Sequence, residues 1–245
     1  MAIYVSKDLK YLVDGYDLSP AINELTLDAS FDAPESTCYG SSSRTRASGG
    51  LADTRISFHG FWDANTASFK IDDVMDAARG TKKNAMVCPK SKTEGDPGYI
   101  TQNIVTAVAP ITGSVGEIIG ITSEAAGAEE IVRGIIMASE VEAEDPGSTG
   151  TIRELGAVTA TQRVYAQLQV YAASGTLPTM DVTVKSDAAE SFLSPTTQLT
   201  FTQATGVVAE WKSKAGAITD TWWRVDFAIA DTTPKFTFIV TVGIQ

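Results

Sequence analysis

A single histidine, His59, occurs among the 245 residues. One imidazole cannot build a multi-histidine metal site, and it leaves no second base for a nucleophile–histidine–acid arrangement. The two cysteines, Cys38 and Cys88, form neither a C-x-x-C pair nor a framework of four or six. They read as unbridged thiols of a reducing compartment. No stretch approaches the ~18 consecutive apolar residues that mark a membrane-spanning helix, and the first ten residues hold no apolar export core. Neither export nor a membrane partner is expected. Basic residues are also scarce: 19 Lys and Arg stand against 30 Asp and Glu, a net charge of −11. A surface that grips phosphates needs the opposite balance, which argues against nucleic-acid binding by charge neutralisation.

What is present begins with an ordinary globular composition, 43% hydrophobic and 20% charged, in a chain long enough to bury a core. Residues 51–64 are the clearest element. Ile56, Phe58 and, past Gly60, Trp62 alternate with Ser57, His59 and Phe61, which is the period of a half-buried strand. Before it, Tyr11–Asp17 reads as a short strand turning at Asp14-Gly15. A second strand places Leu25, Leu27, Ala29 and Phe31 on one side and Thr26, Asp28, Ser30 and Asp32 on the other. The connections carry no helical crossover pattern, so the strands are expected to be antiparallel. One flanking α-helix is expected near residues 66–80, with Phe69, Val74, Met75 and Ala78 on one face, Asp72, Asp73 and Asp76 on the other, and Gly80 as its stop.

Further on, Ala85–Cys88, Ile104–Ala109, Val115–Ser123 and Ile131–Ala138 have strand character, and an acidic loop is expected over Ser139–Gly150. Then Val164, Ala166, Leu168 and Val170 alternate with Tyr165, Gln167, Gln169 and Tyr171. The pattern repeats in Asp181–Lys185, Gln198–Thr202, Trp223–Ile229 and Phe236–Val242. The expected fold is mainly β, two packed antiparallel sheets forming a β-sandwich with one helix. Residues 1–150 would form one domain with the helix. Residues 151–245 would either complete that fold or form an outer lobe.

Chemistry-bearing motifs are few. Gly113-Ser-Val-Gly116 is too short to cradle a phosphate and lacks the P-loop lysine. Asp72, Asp73 and Asp76 suit a solvated helix face better than a cation site. His59, between Phe58 and Gly60, reads as structural. No catalytic, metal or cofactor-binding residue is assigned, no cofactor is expected, and an enzyme is not. Trp222 and Trp223, with Trp211, leave a carbohydrate-binding sandwich open as an alternative.

Several stretches carry a family resemblance. Asp14-Gly-Tyr-Asp-Leu-Ser19, Asn23-Glu-Leu-Thr-Leu27, Ser43-Arg-Thr-Arg46 and Ile56-Ser-Phe-His-Gly-Phe-Trp62 resemble the amino-terminal part of tail tube (major tail) proteins of long-tailed, siphovirus-type bacteriophages. Leu155-Gly-Ala-Val158, Ala173-Ser-Gly-Thr-Leu-Pro-Thr179, Val184-Lys-Ser-Asp187, Thr219-Asp-Thr-Trp-Trp-Arg224 and Thr233-Pro-Lys-Phe236 are similar to the carboxy-terminal part. The resemblance implies a structural virion protein whose chief partner is itself, in stacked, hexameric rings around a lumen that conducts DNA. Its other partners would be tail proteins such as the tape measure, tail terminator and baseplate, and its location the phage tail after assembly in the bacterial cytoplasm. Another virion component, such as a head decoration protein, is the nearest alternative.

Two regions become site candidates under that resemblance. The loop Asp32–Gly50, with Arg44 and Arg46 on an acidic chain, is expected to connect one ring to the next. Between Glu117 and Glu154 nine acids face two bases, so Glu124, Glu129 and Glu130 are candidate lumen acids that would repel passing phosphates. The other reading of the same charge is that it keeps a self-associating surface soluble.

Overall fold

The computed structural model describes residues 6–33, 35–46, 51–63, 71–143, 148–230 and 234–245. In chain order the strands begin with β1 (Lys10–Val13), β2 (Tyr16–Asp17), β3 (Ile22–Phe31) and β4 (Ala52–Phe61). Helix α1 (Ile71–Ala78) follows, then β5 (Lys82–Cys88), β6 (Pro97–Thr112), β7 (Gly120–Gly127) and β8 (Val132–Ala143). After the two-residue strands β9 (Ser148–Thr149) and β10 (Arg153–Glu154) come β11 (Arg163–Ser174), β12 (Thr179–Asp187) and β13 (Thr196–Thr200). The chain ends with β14 (Val208–Ala215), β15 (Trp222–Ala230) and β16 (Lys235–Ile244). Among the described residues the strand ladders run antiparallel, in two sheets.

The chain divides into two compact units. The first holds Met1–Pro20, Asn84–Ile100 and Val132–Gln245; the second holds Ala21–Lys83 and Thr101–Ile131. The expected boundary near residue 150 falls inside the first unit. The acidic loop expected from Ser139 is largely strand, because β8 continues to Ala143 and its Ser139 and Glu140 pair with Ile239 and Phe238.

In the first unit, β8, β16 and β11 pack one face against the smaller sheet of β12, β13 and β15. Val164, Ala166, Leu168, Val170, Val182, Val184, Val225, Phe236, Phe238 and Val240 fill the space between them. Trp223 is fully buried there and its indole N–H donates to the Gly156 carbonyl at 2.9 Å, so the ring's polar atom is satisfied. Phe227 meets Phe238 edge to face at 4.9 Å. This is the packed-sheet arrangement that the alternation in the sequence predicts.

The other face of the same strands is buried too, which the alternation does not predict. Gln167 and Gln169, expected on the outer face of β11, are 0% exposed. The sheet curls until its far ends meet, because the β1–β2 turn reaches β11. Asp14 and Gly15 both take positive φ, 52° and 86°, as a two-residue hairpin turn of the right hand requires. The Gly15 N–H donates to the Gln169 side-chain oxygen at 2.7 Å, and the Gln169 amide donates to the Asn84 carbonyl at 3.1 Å. The Asn84 amide in turn donates to the Ala209 carbonyl of β14 at 3.0 Å. A Cβ on Gly15 would stand 2.8 Å from the Val170 carbonyl oxygen, so only glycine permits this approach. Inside the curl lie Leu12, Met86, Cys88, Ile100, Val132, Ile136 and Ile239, with Tyr165, Tyr171 and Trp211 against them. Burial pushes the Cys88 thiol up to about 12, which keeps it protonated.

At one side of the curl Lys92 pairs with Asp17 at 2.9 Å and lies 4.3 Å from the centre of the Tyr171 ring. Burial alone would raise the pKa of Asp17. Hydrogen bonding by Ser19 and Lys92 and the lysine's charge outweigh it and hold the carboxyl below its ordinary value. For Lys92 burial alone would lower the pKa, and Asp17 outweighs it to raise it.

The second unit is an antiparallel sheet in the order β3-β4-β7-β6. Ile56 and Phe58 of β4 and Ile121 and Ala125 of β7 are buried, while Arg55, Ser57 and His59 lie on the other face. Helix α1 buries Ile71, Met75 and Ala78 and ends where Gly80, at φ 68°, donates its N–H to the Val105 carbonyl at 2.9 Å. The helix is thus found within the expected span, with residues 64–70, including Phe69, outside the described residues. Val115–Ile119, expected to begin a strand, instead form the β6–β7 turn. Gly116 takes φ 92° there and the Glu117 N–H closes onto the Ser114 carbonyl at 3.0 Å.

Two outcomes are expected from the closure of the first unit. Gln169→Leu leaves the Gly15 N–H short of its acceptor, while the Asn84 carbonyl keeps the Asp14 N–H at 2.9 Å. It should lower the unfolding free energy by roughly 1–3 kcal/mol in urea titration, the cost of one buried donor left without its acceptor. The Asp17–Lys92 pair gives a pH signature. A carboxyl with a depressed folded pKa stabilises above its unfolded value, about 4, and loses that contribution as pH falls through the folded pKa. The lysine's contribution is present below its unfolded value of about 10.5 and is lost as pH rises through the raised one. Lys92→Met should therefore be least stable relative to the parent near neutral pH. The gap should narrow on acidification in the same titration.

Candidate assembly surface

The β3–β4 hairpin is longer than the sheet that supports it. Its pairing runs from Ile22↔Gly60 to Phe31↔Ala52, whereas β7 accompanies β4 only from Phe61 to Arg55. Beyond that point, among the described residues, the two strands pair only with each other. The row expected on one side through Leu25, Leu27, Ala29 and Phe31 accordingly stops being covered at Leu27: Ala29 is exposed and Phe31, opposite Ala52, is 66% exposed, while Leu51, on the alternate face, is 80% exposed. Alternation fixed which face these side chains occupy, but no neighbouring strand covers that face.

The described part of Asp32–Gly50 prolongs the arm. The Asp32 N–H donates to the Leu51 carbonyl at 3.0 Å, Glu35 and Arg46 form a β-bridge, and the Ser36 N–H donates to the Thr45 carbonyl at 2.9 Å. All described residues of this segment are exposed, Tyr39 and Cys38 included. Arg44 stands 3.9 Å from Glu35, a loose ion pair between exposed groups worth ~1 kcal/mol or less. Asp32 and Arg46 are exposed on the same arm, while Gly50 lies outside the described residues.

The opposite end of the second unit's sheet is also apolar. Ile111, Val115 and Ile118 are 68%, 107% and 75% exposed at the β6–β7 turn, and Ile119 and Phe61 lie beside them. The Trp62 N–H donates to the Ile119 carbonyl at 3.0 Å, which ties β4 to this turn. The sequence signal was legible only as hydrophobic character, which predicts burial in a strand; a turn cannot bury it.

The three candidate lumen acids are exposed on the second unit, and Glu124 and Glu129 face cations. Glu124, on β7, pairs with Arg55 of β4, and Glu129 lies 3.6 Å from Lys82. The acidic run is dispersed by the fold: Glu117, Glu124, Glu129 and Glu130 belong to the second unit, Glu140 and Glu154 to the first. Glu144 and Asp145 lie outside the described residues.

A shallow groove of about 300 Å³ crosses the polar face of the second unit, lined by Glu24, Thr26, Ser57, His59, Thr122 and Glu124 among others. His59 Nδ1 is 2.9 Å from the Asn23 side-chain oxygen. Among the described residues no group of three or more His, Cys, Asp or Glu is placed to hold a metal ion. The tryptophans do not make a platform. Trp223 is buried between the sheets, Trp211 packs against Tyr165 at 5.5 Å, and Trp222 is half-buried beside Trp223 on the alternate face of β15.

Comparison with protein-family models gives no match, and comparison with curated proteins gives none either. Solved structures do show likenesses. The virion of a native gene transfer agent particle is similar at 16% identity over 53% of this chain and 97% of that one, with a TM-score of 0.40. The SPP1 tail tube matches at 10% identity over 54% of this chain and 78% of that one, TM-score 0.43. The SPP1 Dit protein, a hub of the adsorption apparatus in phages infecting Gram-positive hosts, matches at 9% identity over 97% and 99%, TM-score 0.40. At such identities and superpositions these likenesses carry no argument about function.

Proposed function

We propose that this chain is a structural, non-enzymatic subunit of a phage tail tube. The observation that carries the reading is the β3–β4 arm, which runs past its own sheet and exposes Phe31, Leu51 and Tyr39 at its far end. Side chains of that size are rarely left exposed together on a monomer, and paired strands without further neighbours invite another chain. The sequence resemblance of the same stretch, Asn23–Leu27 with Ser43–Arg46 and Ile56–Trp62, supplies the identity of the assembly. Subunits would close into hexameric rings, stack, and enclose a lumen through which DNA passes without being gripped. Tape measure, terminator and baseplate proteins would meet the tube at its ends, in a virion tail assembled in the bacterial cytoplasm.

In this reading Asp32, Arg44, Arg46 and Gly50 belong to the connector between rings. A guanidinium on an acidic molecule finds carboxylates on a neighbour readily and can hold them through two parallel hydrogen bonds. Glu124, Glu129 and Glu130 would face the lumen. The cations beside Glu124 and Glu129 soften that field.

Negative-stain microscopy of the concentrated protein tests the assembly, with six-fold rings and hollow tubes expected. A protein that stays monomeric in sedimentation at every concentration and in the presence of tube seeds would overturn it. The connector is tested by Arg44→Glu with Arg46→Glu. Folded subunits should still form rings, but mean tube length should fall by about tenfold or more, the loss of one to two charge-assisted contacts per subunit. Tubes of parental length would remove the arm's arginines from the contact.

A further inference from the structure

The first unit carries a cleft of about 550 Å³ where the core between its two sheets reaches the surface. That is the size of a small-molecule site. Pro97, Ile135, Leu155, Val242 and Ile244 line it, and the half-buried Ile135, Leu155 and Ile244 pack against the core behind. We infer that this cleft takes a small monocarboxylate with an apolar stem, its carboxylate held by Arg153 and Arg133. The inference is independent of the assembly reading.

Arg153 stands opposite Trp223 in the β10–β15 ladder, so the two side chains share the face turned toward the core. Glu154, opposite Trp222, takes the alternate face. The Arg153 guanidinium fills the space beside Gly95, another residue of the lining. A Cβ on Gly95 would stand 2.9 Å from the Arg153 Cζ, and Gly95 has φ 89°, so glycine suits the position on both counts. Arg153 Nε is buried without a hydrogen-bond acceptor. Arg133 also lines the cleft and is exposed. Among the described residues no carboxylate pairs with either arginine.

The local charge is balanced, with Lys90, Arg133 and Arg153 against Glu94, Asp96 and Glu154. Hydrogen bonding is not balanced. Asp96 accepts from Lys90 and Ser91, and Glu94 accepts from the Thr151 hydroxyl at 2.7 Å. What is left over is donation by two forked guanidiniums, which a planar carboxylate can meet through two parallel bonds. A phosphate dianion would bring a second negative charge to a place with no net positive charge, so a monoanion is favoured. The described lining contains no hydroxyl or amide side chain, which suits a hydrocarbon stem and not a sugar.

Equilibrium dialysis of the full chain against labelled hexanoate tests the site, because it reads binding whether or not the chain assembles. One hexanoate per chain is expected, with hexanamide weaker by about tenfold or more, the loss of a charge-assisted contact. Inorganic phosphate should not displace it. Equal binding of acid and amide, displacement by phosphate, or no saturable binding would each overturn the inference. Arg153→Gln should weaken hexanoate by about tenfold or more with the melting temperature unchanged, and Arg133→Gln should weaken it less. Parental affinity in Arg153→Gln would equally overturn it. The comparison of acid with amide needs no variant, so it decides the matter even where Arg153→Gln lowers stability. N-acetyl-leucine separates two sources of the same chemistry. Displacement of hexanoate by it supports the site with a polypeptide carboxy-terminus as ligand, and retention of hexanoate supports it with a free aliphatic acid.

Discussion

The buried side-chain amide of Gln169 is the interaction on which the first unit depends. An unpaired amide in that position costs more than a formed hydrogen bond gains, so both its ends must be met. The β1–β2 turn meets one through Gly15, and β5 meets the other through Asn84. Asn84 then reaches β14, so one network joins strands that are remote from each other in the order of the sheet. Closure makes β11 a strand with two buried faces, one apolar against the second sheet and one polar inside the curl. Gln167, Gln169 and Thr241 all lie at 0% exposure there, which is tolerable only because the polar atoms are paired within the curl.

The second unit solves a different problem. Its sheet buries Ile56, Phe58, Ile121 and Met75 but leaves both ends of β4 with apolar side chains in water. A curled sheet satisfies its own far edges, whereas an arm of two strands cannot. The uncovered groups are concentrated where β7 stops accompanying β4 and where the β6 chain reverses, and both are places at which another molecule has access.

Charge follows the fold more than the sequence. The acidic run that looks like one block between Glu117 and Glu154 is cut by the return of the chain from the second unit to the first at Val132. Glu124 and Glu129 then acquire Arg55 and Lys82 as neighbours, residues far away in sequence. Exposed pairs of this kind add little stability but reduce the local field. A solubility role and a repulsive role for the remaining acids are compatible with each other.

Period-two alternation determined most of the long strands and the sandwich interior, because side-chain direction is a local property of extended backbone; the lack of helical crossovers set the antiparallel sense, and the spacing of Val74, Met75 and Ala78 the helix. Asp14-Gly15 likewise announced its turn, since few other pairs tolerate positive φ twice. Three things awaited the tertiary structure. β14, polar with Glu210, Lys212 and Lys214, is a strand only because β11 offers it an edge. The outward row of β11 became interior only when the sheet curled, an outcome set by contacts between Gly15 and Gln169, 154 positions apart. Phe31, Ile111 and Ile118 carry the same hydrophobic signal as core residues, and only the extent of their neighbours decided that they face water. Hydrophobicity states what a side chain would prefer to bury, while burial itself depends on which distant segment arrives to cover it.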